Sequence, residues 1–78
     1  MIIGRTKEQI LTQFIHGPQY GYDIAKSLNI ALSTVYGHLK DFQEEGLITT
    51  KIEGEESRRK MYELTDKGTK LLDVISTE

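Results

Sequence analysis

The 78-residue chain contains no cysteine and only two histidines. Without cysteine, disulfides and thiolate metal sites are excluded, and two histidines far apart in the sequence argue against a structural zinc site. We therefore expect no metal and no other cofactor. A chain of this size buries roughly 60–65 % of its unfolded surface and is only marginally stable alone. Association with a second copy is the remaining source of stability.

Long apolar runs are also missing. No stretch approaches the roughly 18 residues of a membrane span, and residues 1–7 lack the pattern of a secretory signal. We therefore expect a soluble, cytoplasmic protein with no membrane partner. The net charge of -2 argues mildly against a nucleic-acid partner when it is taken alone. The distribution of the basic residues along the chain carries more weight than their sum.

The stretch from Ala31 to Gly46 is the most informative part of the chain. Apolar residues at helical spacing predict a buried stripe, which consists of Leu32, Val35, Leu39, Phe42 and Gly46. The opposite face carries hydroxyl, glycine and amine groups in its first half, and its first acid is Asp41. This order of charges suits a helix whose N-terminal half faces a phosphate-lined groove. We therefore predict the recognition helix of a helix-turn-helix.

A first helix is predicted from Thr6 to about His16. Thr6 and Gln9 have the spacing of a capping box, in which each side chain bonds the backbone of the other residue. The apolar face of this helix is wide and consists of Ile10, Leu11, Phe14 and Ile15. We expect one half of the face to pack in the core and the other half to contact a second chain.

A second helix is predicted over residues 21–28, with Asn29 ending it in a left-handed conformation. A tight turn then leads to the recognition helix. The residue that caps the recognition helix stays open between Asn29 and Ser33, and Ala31 has no side chain that could cap it.

Beyond the recognition helix, residues 47–53 and 58–65 have strand-like compositions and flank a turn at residues 54–57, which predicts a β-hairpin. Tyr62 and Leu64 share one face of the second strand, and we expect them to point inward. The basic cluster Arg58, Arg59 and Lys60 begins that strand. It is either a solvated strand end whose charges discourage aggregation, or a wing that lies along phosphates or in a minor groove.

A last helix is predicted over residues 66–76, with Thr65 as its cap. Its apolar residues exceed what one small core can cover; they are Leu71, Leu72, Val74 and Ile75. Simple packing of the chain end is one interpretation. We favour a dimer contact, because exposed apolar patches usually mark an interface. The predicted dimer residues are Ile10, Phe14, Leu71, Leu72 and Ile75.

The predicted fold is therefore mainly helical α+β: a winged helix-turn-helix with three helices, a two-stranded β-hairpin wing and a C-terminal helix. Residues 1–78 are expected to form one domain. The helix at residues 66–76 is expected to contribute to dimerisation.

The sequence also resembles the PadR family of transcriptional regulators. The similar stretches include Ile10-Leu11, Gly17-Pro18, Gly21-Tyr22-Asp23-Ile24, Ser33-Thr34-Val35-Tyr36 with Leu39, and Arg59-Lys60 with Tyr62. The glycine-proline-glycine-tyrosine pattern, together with the tyrosine of the recognition helix, is the specific part. The segments 44–48 and 64–68 are shared with MarR-like and other winged helices, so they support the fold more than the family. Three departures stand out. Ala31 replaces a usual serine, Gly37 replaces a usual proline, and a commonly basic wing here carries Glu53, Glu55 and Glu56.

The resemblance implies a homodimeric repressor that binds DNA. It implies that the recognition-helix residues meet DNA and that the hairpin serves as the wing; these residues are Ser33, Thr34, Tyr36 and Lys40, with Arg59 and Lys60. Many family members have a longer C-terminal helical domain that dimerises and helps to sense ligands. Since this chain ends at Glu78, a built-in pocket for a small-molecule effector is not implied.

Two residues of the recognition helix allow two interpretations each. Gly37 costs about 1 kcal/mol relative to alanine inside a helix. It either permits close approach of the backbone to a groove or phosphate, which we favour, or is simply tolerated at an exposed position. The phenol of Tyr36 either reaches a phosphate or belongs to a half-buried core aromatic.

We therefore expect a dimer that places two recognition helices about 34 Å apart on a pseudo-palindromic site in double-stranded DNA. The proposed DNA contacts are Ser33, Thr34, Tyr36, Gly37, Lys40, Arg58, Arg59 and Lys60. The alternative is a winged helix that acts as a protein-interaction module, which the acidic net charge and the three wing glutamates favour. An enzyme is not indicated, because the sequence shows no nucleophile–base pair, paired carboxylates or phosphate loop.

Overall fold

The structure of the protein is a computed structural model that describes residues 4–52 and 60–76. The helices are α1 (Arg5–Thr12), continued by a 3₁₀ turn (Gln13–His16), α2 (Gly21–Leu28), α3 (Leu32–Glu44) and α4 (Asp66–Ser76). The strands are β1 (Gln19–Tyr20), β2 (Ile48–Ile52) and β3 (Lys60–Leu64), which form an antiparallel sheet in the order β1-β3-β2. The fold is the winged helix-turn-helix predicted from the sequence. Within the described ranges, no helix has both the length and the apolar character needed to cross a bilayer.

The core forms where the helices meet the sheet. Its largest fully buried side chains are Phe42, Ile10, Leu11, Ile24, Leu39 and Val35. The predicted buried stripe of α3 is therefore confirmed at its centre. It is wrong at both ends, because Leu32 is 38 % exposed and Gly46 lies at the surface beyond the helix.

Gly46 closes the C-terminal end of α3 with a positive φ of 75°. The N–H of Leu47 donates to the carbonyl of Phe42 at 2.8 Å, and the N–H of Gly46 donates to the carbonyl of Gln43 at 3.0 Å. These two bonds form a Schellman motif, which requires a left-handed residue at this position. The glycine is thus explained by the turn rather than by burial.

The N-terminal end of α3 differs from the prediction. Ala31 occupies the N-cap position, and no side chain caps the helix. The Ala31 carbonyl accepts hydrogen bonds from the N–H groups of Thr34 and Val35, each at 3.1 Å. The predicted caps at Asn29 and Ser33 are therefore wrong. Asn29 adopts the left-handed conformation expected of it, with φ of 54°, and ends α2.

The first helix begins earlier than its capping-box spacing indicated. Gly4 is the N-cap of α1 and accepts a hydrogen bond from the N–H of Glu8 at 2.9 Å, without any side-chain cap. The predicted capping role of Thr6 is therefore wrong. The helix also tightens into the 3₁₀ turn before Gly17, whose φ of 103° stops it.

Strand β1 was not predicted from the sequence. Gln19 pairs with Tyr62 and Tyr20 pairs with Met61, so β3 becomes the central strand of the sheet. Two residues are too few to show a strand periodicity. The hairpin itself is confirmed, because β2 and β3 pair from Ile48 opposite Leu64 onwards. The turn predicted at residues 54–57 lies outside the described residues.

Helix α4 starts where it was predicted to start. The Thr65 hydroxyl accepts a hydrogen bond from the N–H of Gly68 at 3.1 Å, which confirms its capping role. Gly68 is buried against the turn between α3 and β2, and a Cβ at this position would collide with the carbonyl oxygen of Leu47. Only glycine allows α4 to approach that turn so closely.

Three hydrogen bonds tie the α3–β2 turn to the start of α4. The N–H of Thr65 donates to the carbonyl of Leu47 at 3.0 Å, and its hydroxyl donates to the carbonyl of Gly46 at 2.6 Å. The ammonium group of Lys67 donates to the carbonyl of Glu45 at 2.8 Å. Three successive carbonyls of the turn are therefore bound by one short segment of chain.

The predicted dimer surface needs a correction. Ile10, Phe14 and Leu72 are 0 %, 4 % and 5 % exposed, so their side chains are used in the core of the chain itself and are not available to a partner. Leu71 and Ile75 are only partly buried against that core. Their contact with a second chain therefore stays a prediction.

We expect Gly68→Ala to lower the free energy of unfolding by about 1–3 kcal/mol or more, because the new methyl group forces α4 away from the turn. Gly37→Ala is the matched control. It also adds a methyl group inside a helix, but it meets no atom within 4 Å and should raise the free energy of unfolding by up to about 1 kcal/mol. Urea denaturation followed by circular dichroism measures both. Equal effects of the two variants would contradict the close approach at Gly68.

Candidate nucleic-acid interface

Helix α3 exposes the face that the sequence predicted. Ser33, Thr34, Gly37 and Lys40 are all exposed. The first acid of the helix, Asp41, has its carboxylate 3.3 Å from the ammonium group of Lys7 on α1. The first two turns of the exposed face thus carry hydroxyl, backbone and amine groups without a carboxylate, which leaves them suited to a negatively charged partner.

No contact within the described parts of the chain requires a glycine at position 37. A Cβ built there meets nothing within 4 Å. The residue lies inside α3, where glycine costs about 1 kcal/mol relative to alanine. Since no described contact uses this glycine, close approach of a partner to the helix backbone stays a prediction beside simple tolerance at an exposed position.

Tyr36 is held by a close contact between α3 and the start of α2. Its side chain is 42 % exposed, and a Cβ at Gly21 would lie 2.7 Å from the ring atom Cε1 of Tyr36. Gly21, which is buried, therefore leaves the space that the ring occupies. The phenol end of the ring packs against Gly21 of α2, and the rest of the side chain reaches the surface. This agrees with a half-buried aromatic, and contact of the phenol with a phosphate stays a prediction.

A cleft of about 400 Å³ separates α3 from strand β3. We call it the α3–β3 cleft, and its lining residues are Tyr36, Lys40, Gln43, Lys60 and Tyr62. The α3 residues follow one another at intervals of four and three positions, so they form one helix face, and the β3 residues are two positions apart and share one strand face. No carboxylate is among the residues described as lining it.

Gln43 and Tyr62 are two lining residues that were not predicted from the sequence as site residues. Gln43 is seven positions after Tyr36 and three after Lys40, so helical spacing alone could have placed it beside them. Tyr62 was expected to point inward, and its side chain is indeed 4 % exposed. Burial raises the pKa of Tyr62 above the ordinary 10.0, and the nearby Tyr36 raises it further.

The wing is described only at its base. Lys60 is exposed at the start of β3, whereas Arg58, Arg59 and the three wing glutamates lie outside the described residues. Glu63 is one position from Tyr62 and therefore belongs to the opposite strand face. Its carboxylate is 3.7 Å from the ammonium group of Lys51 on β2. This acid is thus paired on the side of the sheet away from the cleft.

Residues 10–74 match the Transcriptional regulator PadR-like family. This match covers the helix-turn-helix, the hairpin and most of α4. No curated protein sequence matches the chain at a significant level.

Comparison with solved structures gives the same fold. A structure of S. aureus MepR with one substitution, bound to an oligodeoxyribonucleotide, is 26 % identical with a TM-score of 0.88, over 96 % of this chain and 56 % of that one. Lactococcus lactis ZitR, a zinc-responsive MarR family member, is 25 % identical with a TM-score of 0.86, over 99 % and 54 % of the two chains. AdcR, the adhesin competence repressor of Streptococcus pyogenes, is 21 % identical with a TM-score of 0.87, over 96 % and 56 %. The chain spans about half the length of these proteins.

The raised pKa of Tyr62 predicts a loss of stability at alkaline pH. The folded protein disfavours the ionised phenol, so the unfolded chain releases this proton more readily once the pH exceeds 10.0. The free energy of unfolding should therefore fall as the pH rises past that value. Tyr62→Phe lacks this contribution and should lose less stability over the same interval. Urea titrations of both proteins, from neutral to alkaline pH, measure the difference; parallel curves would contradict the prediction.

Proposed function

The chain belongs to the PadR-like family of transcriptional regulators, and we propose that it binds double-stranded DNA with α3 in the major groove and the hairpin against the backbone or minor groove. The observation that carries the proposal is the acid-free, exposed first half of α3 beside the α3–β3 cleft with its two lysines. This arrangement places positive charge and hydrogen-bond donors where a phosphate-lined groove would lie. The family and the named neighbours are regulators and not enzymes.

A structural neighbour supports the same proposal. The S. aureus MepR structure contains an oligodeoxyribonucleotide, and the present chain shares its fold over 96 % of the residues. By analogy, Ser33 and Thr34 at the start of α3 would contact base edges or nearby phosphates. Gly37 would allow the helix backbone to approach the groove, and Lys40 would contact base edges or phosphates.

The wing is proposed to add affinity that depends on salt. Arg58, Arg59 and Lys60 are the densest basic cluster of the sequence. Contacts of such residues with phosphates release counterions, so they raise affinity at low salt for every DNA sequence. The glutamates of the same hairpin would moderate this attraction.

We further propose that the protein acts as a homodimer in the cytoplasm. Leu71 and Ile75 are partly buried on α4 and would complete their burial against a second copy. A two-fold dimer would place its recognition helices about 34 Å apart, in successive major grooves of a pseudo-palindromic operator. Occupation of such an operator within a promoter would repress transcription.

Binding to a fluorescent duplex of random sequence, titrated with salt, tests the DNA proposal. We expect binding at low salt whose affinity falls steeply as salt increases, with a slope of about -0.9 for each phosphate neutralised. Selection from a random library then yields the operator, and transcription from a promoter that contains it distinguishes repression from activation. Absence of binding at low salt would contradict the proposal and favour the protein-interaction module.

The dimer has its own test. Ile75→Asp places a carboxylate in the proposed contact and should raise the dimer dissociation constant at least about tenfold, which is about 1.4 kcal/mol. Ser76→Asp, an equal change of charge at the neighbouring exposed position, is the control and should leave the constant unchanged. Sedimentation equilibrium measures both variants, with circular dichroism to verify folding. A wild-type protein that is monomeric at high concentration would exclude the dimer.

A further inference from the structure

The position of the α3–β3 cleft follows from the two elements that form it. If α3 lies in a major groove and the hairpin reaches the next minor groove, the sugar–phosphate strand between those grooves must pass between them. The cleft is the space between these two elements. On that arrangement the strand would pass across the cleft.

The lining has the chemistry of a phosphate site. Lys40 and Lys60 supply one ammonium group from each side, and both are exposed. The remaining lining residues supply two phenols and one amide, which are uncharged donors. A phosphodiester carries one negative charge on two oxygens that accept hydrogen bonds, so it can use both kinds of group.

Two of the acids next to this space are paired with cations elsewhere in the fold. Asp41 follows Lys40 directly but is paired with Lys7 on α1 at 3.3 Å. Glu63 follows Tyr62 directly but is paired with Lys51 on the other face of the sheet at 3.7 Å. Asp41 and Glu63 are thus directed toward other cations, and Glu44, which follows Gln43, is exposed and is not among the described lining residues.

The two tyrosines are held in place before any ligand arrives. The ring of Tyr36 packs into the space left by Gly21, and the side chain of Tyr62 is buried in the core. Donors on side chains that are already fixed lose little conformational entropy on binding. Such a site favours an anion at one defined place over diffuse attraction along the strand.

We propose that the α3–β3 cleft binds one phosphodiester group of the DNA strand that runs between the recognition helix and the hairpin. The inference rests on the proposed function and adds to it a single phosphate position, with Gln43 and Tyr62 as contacts that the sequence did not indicate. Lys40 and Lys60 neutralise the same phosphate from opposite sides. Tyr36, Gln43 and Tyr62 fix its oxygens.

Salt titration with the random-sequence duplex tests this assignment. Lys40→Ala and Lys60→Ala should each weaken binding and reduce the steepness of the salt dependence. The double variant should lose about 0.9 from the slope for each bound protomer, which is the value for one phosphate. A loss of about twice that value would show that the lysines neutralise separate phosphates and would overturn the shared site.

Loss of an uncharged donor should change DNA affinity without changing its dependence on salt. Gln43→Ala and Tyr62→Phe should each reduce affinity about tenfold at every salt concentration, because a hydrogen bond to a charged group is lost. Their slopes should stay at the wild-type value, since no charge is removed. Tyr62→Phe keeps the buried ring, so circular dichroism is expected to show an unchanged fold. Wild-type affinity in both variants would remove these residues from the site.

Lys70→Ala is the matched control, because it removes an exposed lysine of α4 away from the cleft. It should change neither the affinity nor the slope. If wild-type protein shows no salt-dependent binding to DNA, the proposed function itself fails. If wild-type protein binds while the Lys40 and Lys60 variants behave like Lys70→Ala, only the cleft assignment is overturned.

A titration with inorganic phosphate distinguishes two possible ligands of the cleft, a phosphodiester of DNA and a free phosphate ion. At constant ionic strength, inorganic phosphate is titrated into isotopically labelled protein without DNA, and the amide resonances of Lys40, Gln43 and Tyr62 are followed. We expect no saturable shift, because a lone phosphate lacks the further contacts that the rest of the strand makes with α3 and the hairpin. Saturation at these residues, together with unchanged DNA binding by the lysine variants, would assign the cleft to free phosphate.

Discussion

The attachment of α4 to the turn after α3 is the constraint on which the other elements depend. Carbonyls of three successive residues, Glu45 to Leu47, are bound by Thr65 and Lys67, and Gly68 lies against the last of them. In a chain of 78 residues with a small core, polar contacts of this kind determine geometry that apolar packing leaves less defined. They set where α3 ends, where β2 begins and how α4 leaves the sheet.

The candidate site is a product of this geometry together with one contact at the other side of α3. The turn holds β2 and β3 beside the helix, which creates the α3–β3 cleft. Gly21 admits the ring of Tyr36 and so brings α2 close to the same face of α3. Two glycines, Gly21 and Gly68, therefore position the site without lining it. Their role is to allow backbones and rings to approach closely.

Hydrophobic periodicity and turn chemistry predicted most of the fold. Val35, Leu39 and Phe42 are buried as the helical spacing indicated, and α2 and α4 have the predicted bounds. The predictions of helix ends were wrong where backbone groups, and not side chains, begin or close a helix. Gly4 and Ala31 begin helices through their carbonyls alone, and Gly46 serves a Schellman turn instead of the core. Strand β1 depends on a partner some forty residues away, a relation that periodicity within one strand does not contain.

The exposed face of α3 was predictable for the same reason as its buried face, because both follow from one helical period. The cleft was not, since it requires the distance between α3 and β3, which are separated in sequence by β2 and the hairpin turn. Ile10, Phe14 and Leu72 show a second limit of prediction from the sequence, because they were assigned to a dimer contact and are buried in the core. Their apolar character was evident from the sequence. Only the three-dimensional packing distinguishes an apolar residue of the core from an apolar residue exposed to a second chain.

The absence of a side-chain cap at Ala31 makes the two ends of α3 mechanically unequal. A serine, threonine, aspartate or asparagine at this position would stabilise the helix by about 0.5–2 kcal/mol, and the chain forgoes that stabilisation at the end proposed to meet bases. The other end is closed by the Schellman turn and by its bonds to α4. Helix α3 is thus held by more hydrogen bonds to other elements at its C-terminus than by side-chain caps at its N-terminus. If α3 binds DNA as proposed, its first turn is therefore the part that can adjust to local groove width without breaking a side-chain cap.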